Sequence, residues 1–416
     1  MHLFSLGLGL FIIFSAAGLP SLHAQEWTRF RGPNGTGIVT DAAIPVTWTE
    51  KNFAWRVAIS GESHSQPVIW GDKIFINTAM QTGQERALVC LQKSDGKILW
   101  TKQSSQPTHR PGNKNSGYAN SSPVVDRERV ITCSVSSDHF WVRAYAHNGT
   151  ELWSRDLGGF KSQHGHGASP IIYDQAVIVT NDQAAESFVV ALDLKTGNPV
   201  WKCARNASPG GTAYGTPIIL SRPGEPTQMI LTGKGHGLSS LNPKTGTLNW
   251  EAPVFDKRMV ASPVVADDLA IGSCGQGGGA GNFLSAVRLG GTGNVAKTHL
   301  AYTLNKATPY VPTPLFLDGI LYLISDGGIA SAIEAKTGRE IWSERLRAEF
   351  FGSPVLVNGK IYCPSTKGEM IVLATGDTFN LLARNPLGEG SHSTPCVDQG
   401  RFYVKTFTHL VCVSGP

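Results

Sequence analysis

Three histidines in this chain stand just ahead of a proline: His64 before Pro67, His166 before Pro170 and His392 before Pro395. Imidazole nitrogens gathered on one wall can form an open site for a divalent metal or contact a polar ligand. The alternative is that loop histidines and tyrosines only hydrogen-bond around a wet channel. The position three before a proline is also held by Asn120, Gly167, Tyr214, Val260, Val311 and Phe351, with Tyr310 one step further back. Asn120, Tyr214 and Tyr310 therefore join the histidines as candidate ligand contacts. Glu186, on the hairpin loop that starts at Asn181, is a further candidate. Asp326, in Ser325-Asp326-Gly327-Gly328, could serve as a base, although Asp-Gly is mainly a turn signal. No Ser-His-Asp arrangement, paired carboxylates or nucleophile elbow emerges from the spacing.

The prolines that index these residues are themselves periodic. A small or polar residue, Pro and an apolar residue recur at Gln66-Pro67-Val68, Ser122-Pro123-Val124, Ser169-Pro170-Ile171 and Thr216-Pro217-Ile218. They continue at Ser262-Pro263-Val264, Thr313-Pro314-Leu315, Ser353-Pro354-Val355 and Thr394-Pro395-Cys396, spaced 40 to 56 residues apart. Proline suits the first residue of a strand, where its missing N–H breaks no ladder bond.

A second repeat runs in step with the first. Gly96, Gly149, Gly197, Gly246 and Gly338 each precede a tryptophan by four residues: Trp100, Trp153, Trp201, Trp250 and Trp342. Glycine takes positive φ in a tight turn at no steric cost, and the ring four residues on needs a partner surface. Trp55 stands 12 residues before Pro67, as Trp342 does before Pro354. It therefore marks the last strand of a blade whose other three strands lie at the C-terminus. Tyr302 takes the tryptophan slot in the fifth repeat, and Leu382 or a neighbour fills it in the seventh.

Internal repetition at this period outranks length as a guide to fold. We expect an all-β chain, an eight-bladed β-propeller with Velcro closure of the N-terminal strand onto the C-terminal blade. The expected divisions are a signal peptide at 1–24, a turn-rich arm at 25–52 and one propeller domain at 53–416. The signal is an apolar run from Leu3 to Ala17 followed by Leu22-His23-Ala24, with cleavage after Ala24. The run is short for a membrane span. No cysteine precedes Cys90, so no lipid anchor on an N-terminal cysteine is expected.

The seven cysteines include no adjacent pair and no C-x-x-C, and Cys90, Cys363 and Cys412 fall inside apolar strands, as small core residues do. A net charge of +5 is spread thinly, and the densest basic stretch, His109 to Lys114, has no interleaved aromatics. Nucleic-acid binding is not expected. The longest connection, Gln103–Asn120, carries His109, Asn113, Lys114, Asn115 and Tyr118, and reads either as a binding loop or as a solvated linker. The glycine run at 275–281 joins two strands, so it is not a phosphate cradle, which needs a strand-to-helix turn.

The stretch Ala191-x-Asp193-x-x-Thr196-Gly197-x-x-x-Trp201 resembles the pyrroloquinoline-quinone (PQQ) propeller repeat, A-x-D-x-x-T-G-x-x-x-W, at every marked position. Asn242 and Glu334 replace the Asp in two other good copies. The resemblance covers roughly residues 53–413. It implies that each Trp docks on the Gly turn of the neighbouring blade. It also implies one of two functions. One branch, the quinoprotein dehydrogenases, holds PQQ and Ca²⁺ on the propeller axis; its alcohol dehydrogenases use adjacent cysteines, which this chain lacks. The other, BamB-like branch binds protein partners and assists outer-membrane assembly without catalysis. The arm Phe30-Arg31-Gly32-Pro33-Asn34-Gly35-Thr36-Gly37 resembles that of secreted PQQ-repeat proteins. The expectation is a periplasmic or secreted, monomeric, BamB-like scaffold for protein partners in the cell envelope, with no cofactor. The alternatives are a small PQQ/Ca-dependent dehydrogenase, or a carbohydrate-binding or lyase propeller using His64, His166 and His392.

Overall fold

Each anchor proline opens a short strand, and in the computed structural model that strand is the innermost of a four-stranded antiparallel blade. The structure describes residues 26–40, 42–80, 83–105, 116–206, 212–277 and 281–415. The expected signal peptide, the stretch His109–Asn115 and the middle of the glycine run lie outside the described residues.

Blade three shows the common plan, with strands Ile171–Tyr173, Ala176–Asn181, Ser187–Asp193 and Pro199–Arg205 running outward. The third strand is buried almost throughout, because neighbouring blades cover both its faces, whereas the outermost strand is largely exposed. The apolar clusters accordingly lie between blades. Phe140, Val142 and Trp153 of blade two pack with Val177, Val190 and Leu192 of blade three. The eighth blade is Cys396–Asp398, Arg401–Lys405, His409–Ser414 and, as its outer strand, Phe53–Ala58. Trp55 pairs with Cys412 there, so the ring is closed by main-chain hydrogen bonds between the two ends of the propeller.

The tryptophan repeat has a direct physical cause. Trp153 Nε1 donates to the carbonyl of Leu194 at 2.9 Å, in the turn of the following blade. A Cβ on Gly197 would lie 2.5 Å from Trp153 Cε3, so that turn accepts the ring only without a side chain. Trp55, Trp100 and Trp201 donate in the same way to Lys93, His147 and Pro243, and their rings cover Gly96, Gly149 and Gly246. Tyr302 Oη reaches the Ala335 carbonyl at 2.6 Å beside Gly338, and Trp342 reaches Gly376. Trp250 departs from the pattern. Its Nε1 donates to Gln228 within its own blade, and its strand pairs with Gly293–Asn294 from the longer turn of blade five. Leu382 is partly buried against the cluster joining blades seven, eight and one.

The residue before each proline makes a second ring, nearer the axis. The N–H of Gln66 donates to Ser122 Oγ at 2.8 Å, that of Ser122 to Ser169 at 2.9 Å, and that of Ser169 to Thr216 at 2.9 Å. The chain of bonds continues from Thr216 to Ser262, Thr313, Ser353 and Thr394 at 2.9 to 3.0 Å. A hydroxyl at this position thus satisfies the main-chain N–H of the preceding blade. Gln66 breaks the series: its Nε2 donates to the Pro395 carbonyl, and its Oε1 accepts the N–H of Arg31.

Arg31 belongs to the arm, which runs across the axis below this ring. An innermost strand has one free edge, and its unpaired N–H groups need acceptors. The arm supplies them: Trp27 O accepts from Ile69, Thr28 O from Val125, Asn34 Oδ1 from Ile219 and Gly37 O from Leu356. Ile38–Val39 adds a parallel strand to blade seven. The Arg31 guanidinium, 1% exposed, donates to the carbonyls of Thr313, Pro314 and Pro354, and Arg29 donates to Pro217. The arm therefore plugs the channel and ties together blades far apart in sequence.

Candidate functional site

Above the plug the channel widens into a cavity of about 760 Å³, with Phe30 of the arm in its wall. That volume falls in the range of small-ligand pockets. The residues three before the eight prolines, from His64 and Asn120 round to Phe351 and His392, all line it. The reason is geometric: each sits in the loop that leads into an innermost strand, four residues before that strand begins. Tyr310, Asp326 and Arg258 line it as well.

His64 and His392 meet across the closure of the ring. His392 Nδ1 and His64 Nε2 are 3.2 Å apart, with the rings edge to face. Phe351 stacks on His392, with centroids 4.4 Å apart. Burial pushes His64 down to about 3, helped by His392 and Lys405, and pushes His392 down to about 4. Both rings are neutral at pH 7, and one donates to the other. His166 is elsewhere, wedged between Phe140 and Phe160 with Nε2 on the Thr180 carbonyl. Its burial also lowers it to about 4. Among the described residues no group of three His, Cys, Asp or Glu side chains could hold a metal. Glu186 is exposed and paired with Lys202 on the hairpin, away from the residues lining the cavity.

The other wall comes from blades three to six. Tyr214 Oη lies 3.1 Å from Ser162 Oγ. Arg258, which the sequence reading did not single out, donates through Nη1 to His164 Nε2 at 2.9 Å and to Tyr310 Oη at 3.4 Å. Its Nη2 donates to Gln163 at 2.6 Å. Because His164 Nε2 accepts, its Nδ1 carries the proton toward Ser116 Oγ, and burial and Arg258 together hold the ring neutral. Asp326 accepts the N–H groups of Tyr310 at 2.7 Å and Val311 at 3.1 Å, one on each oxygen. Burial raises its carboxyl, and these amide bonds oppose the rise. The offset that found the other wall residues would not find Arg258, which lies five before Pro263. A basic residue in that short loop is its only sequence signal.

The donor set bears on the PQQ and Ca²⁺ that the resemblance to quinoprotein dehydrogenases implies. Ca²⁺ takes six to eight oxygens. Here both Asp326 oxygens are engaged by main-chain amides, and Glu349 is exposed at the mouth. These two carboxylates by themselves do not make such a site.

The family model for the outer membrane protein assembly factor BamB matches residues 46–222, 185–277 and 307–406. BamB of Moranella endobia (strain PCIT) is 23% identical over 273 residues, covering 63% of this chain and 67% of that protein. BamB of Yersinia pestis is 22% identical over 209 residues, 48% of this chain and 53% of that one, so the chain spans only about half of this relative's length. Among solved structures, a europium-containing methanol dehydrogenase superposes with a TM-score of 0.72 at 13% identity, covering 93% of this chain and 91% of the other, a likeness of fold alone. With the repeat, the docked tryptophans and the eight blades in place, the chain belongs to the BamB family of PQQ-repeat propellers.

Proposed function

We propose that this propeller is a binding scaffold of the cell envelope that holds protein partners and turns over no substrate. The observation that carries the reading is the state of the polar groups on the axis. His64 is bonded to His392, Tyr214 to Ser162, Arg258 to neutral acceptors, and Asp326 to two amides. Groups held this way present fixed donors and acceptors, as recognition requires, and none is poised beside a nucleophile. The names of the family and of its relatives, outer membrane protein assembly factors, support a place on the periplasmic side of the envelope and partners in that assembly.

A second reading, a PQQ-dependent dehydrogenase, draws on Asp326, a half-buried carboxyl facing the cavity of a fold shared with a methanol dehydrogenase. The poor fit of the donor set to Ca²⁺ counts against it. The test is a titration of the chain from Gln25 onward with PQQ and Ca²⁺, followed by tryptophan fluorescence, beside in-cell cross-linking read by mass spectrometry. The scaffold reading expects a flat titration and a reproducible cross-link to an envelope protein. Saturable binding in the micromolar range or tighter would overturn it.

A further inference from the structure

We propose that the axial cavity receives an acidic, aromatic-bearing segment of a partner protein, with a carboxylate of that segment anchored on Arg258. The proposal rests on the scaffold reading and names the chemistry of the partner.

Arg258 is the cation of the blade-five wall. Its guanidinium faces the cavity and donates to His164, Tyr310 and Gln163, all of them neutral. Among the described residues no carboxylate pairs with it, in contrast to Arg205, which is buried against Asp182. Its Nε is buried without an acceptor. An arginine supported by neutral groups keeps its full charge for an incoming anion, and a fork of N–H groups suits a carboxylate. Tyr310 Oη, beside Nη1, adds a hydroxyl donor to the same place.

The rest of the wall fits a peptide. Asn120, Gln276, Asn282 and Asn305 line the cavity, and a carboxamide donates and accepts as a main-chain amide does. Asn120 Oδ1 is buried with no donor among the described residues. Phe30 and the Phe351–His392 stack offer faces to an aromatic side chain. The two carboxylates of the wall, Asp326 and Glu349, belong to blade six and its exit loop, and Asp326 is already engaged by amides. Arg345 lines the cavity on that same blade, so the charges there are mixed, whereas the blade-five wall is cationic, which orients a segment with its acid toward blade five. The arm closes the far end, so the segment enters from the mouth and does not thread through.

The probe is a labelled, terminally blocked peptide of alternating Glu and Phe, titrated by fluorescence anisotropy into the full chain. Its Gln/Phe analogue and free glutarate are run alongside. Arg258→Gln should weaken the acidic peptide at least tenfold, Arg258→Lys less, and the Gln analogue should bind no better than the variant does. Tyr310→Phe, which removes only a hydroxyl, should weaken it severalfold and covers the case in which Arg258→Gln does not fold. Equal binding of acidic and Gln peptides, or of wild type and both variants, would sink the proposal, as would no binding by wild type. Glutarate competing as well as the peptide would replace the partner segment with a free carboxylate and overturn it too. If Arg258→Gln keeps its envelope cross-link, this site falls while the scaffold reading stands; a wild type without any cross-link removes the reading itself.

Discussion

Arg31 Nη1 donates to the carbonyl of Pro354 at 3.1 Å, joining a residue ahead of the first blade to the anchor of the seventh. Among the described residues the guanidinium is held by five carbonyls and no carboxylate, those of Gly35, Thr36, Thr313, Pro314 and Pro354. Burial lowers its pKa to about 9. Replacing it strands buried acceptors in the arm and in blades six and seven. Hydrogen bonds to a charged group contribute about 1.5–3 kcal/mol each, but the bonds of one side chain are not additive. Arg31→Met should destabilise the fold by about 3 kcal/mol, and Arg31→Lys by less, because one ammonium cannot span all five. Urea unfolding followed by tryptophan fluorescence measures both; a shift below about 0.5 kcal/mol for Arg31→Met, within the usual surface range, would show that the plug is not a structural tie.

Gly197 and Gly71 separate the two reasons for glycine in a blade turn. Both have positive φ, 67° and 58°. A Cβ on Gly71 meets nothing within 4 Å, whereas on Gly197 it would strike the ring of Trp153. Gly71→Ala should cost only the left-handed backbone penalty, about 1–2 kcal/mol. Gly197→Ala adds the displacement of a docked, 8% exposed tryptophan and should cost about 2 kcal/mol more, since losing core packing of a large ring costs several kcal/mol. The pair is read by thermal unfolding, with the Trp153 environment followed by near-UV circular dichroism. Equal losses in the two variants would refute the docking account.

That contrast also explains what was legible in the sequence. The Gly-to-Trp spacing and the proline anchors are local consequences of blade geometry, so blade number and ring closure could be read from residues such as Trp55, Trp201 and Pro395. The wall positions His64, Asn120, Tyr214 and His392 followed, because a fixed offset from a strand start fixes a place on the axis. The features that could not be read lack a local signature. The arm reads as turns, and nothing in Phe30-Arg31-Gly32 says that its acceptors are carbonyls of blades six and seven. Arg258 is one basic residue in a loop. His166 has the same offset as Tyr310, four before its proline, yet its ring turns away between Phe140 and Phe160. Offset gives the place of a Cα and not the rotamer.

Acid should weaken the fold through its buried imidazoles. His64, His166 and His392 are pushed down to about 3, 4 and 4, while in the unfolded chain they titrate near the ordinary 6.5. Below pH 6.5 the unfolded state binds protons that the folded state refuses, so stability falls as pH falls. The loss begins at about 6.5 and continues until the folded rings themselves protonate near 4. His392→Gln should flatten the pH dependence between 6.5 and 4 while leaving its direction, since His166 remains. Urea midpoints at pH 7.5, 6, 5 and 4.5 give the slope. A wild-type midpoint that is constant over this range, or a variant slope equal to wild type, would contradict the burial of the pair.

The hydroxyl ring makes the last prediction. Ser122 N–H donates to Ser169 Oγ, and Ser169 N–H donates in turn to Thr216 Oγ1, each at 2.9 Å. Both hydroxyl residues are buried, at 3% exposure each, so water cannot replace a lost acceptor. Ser169→Ala leaves the Ser122 amide orphaned, and Thr216→Val leaves that of Ser169, with almost no change in shape. Each should cost about 1–3 kcal/mol, the desolvation penalty of one unpaired buried group. Ser169→Thr should stay within about 0.5 kcal/mol, as near-conservative changes usually do. Threonine already occupies the equivalent place at Thr216, Thr313 and Thr394. Native-state hydrogen exchange adds a local readout: the Ser122 amide should lose protection in Ser169→Ala beyond the global loss and keep it in Ser169→Thr. If alanine and threonine behaved alike, the hydroxyl would be incidental, and the small residue before each proline would be explained by space alone.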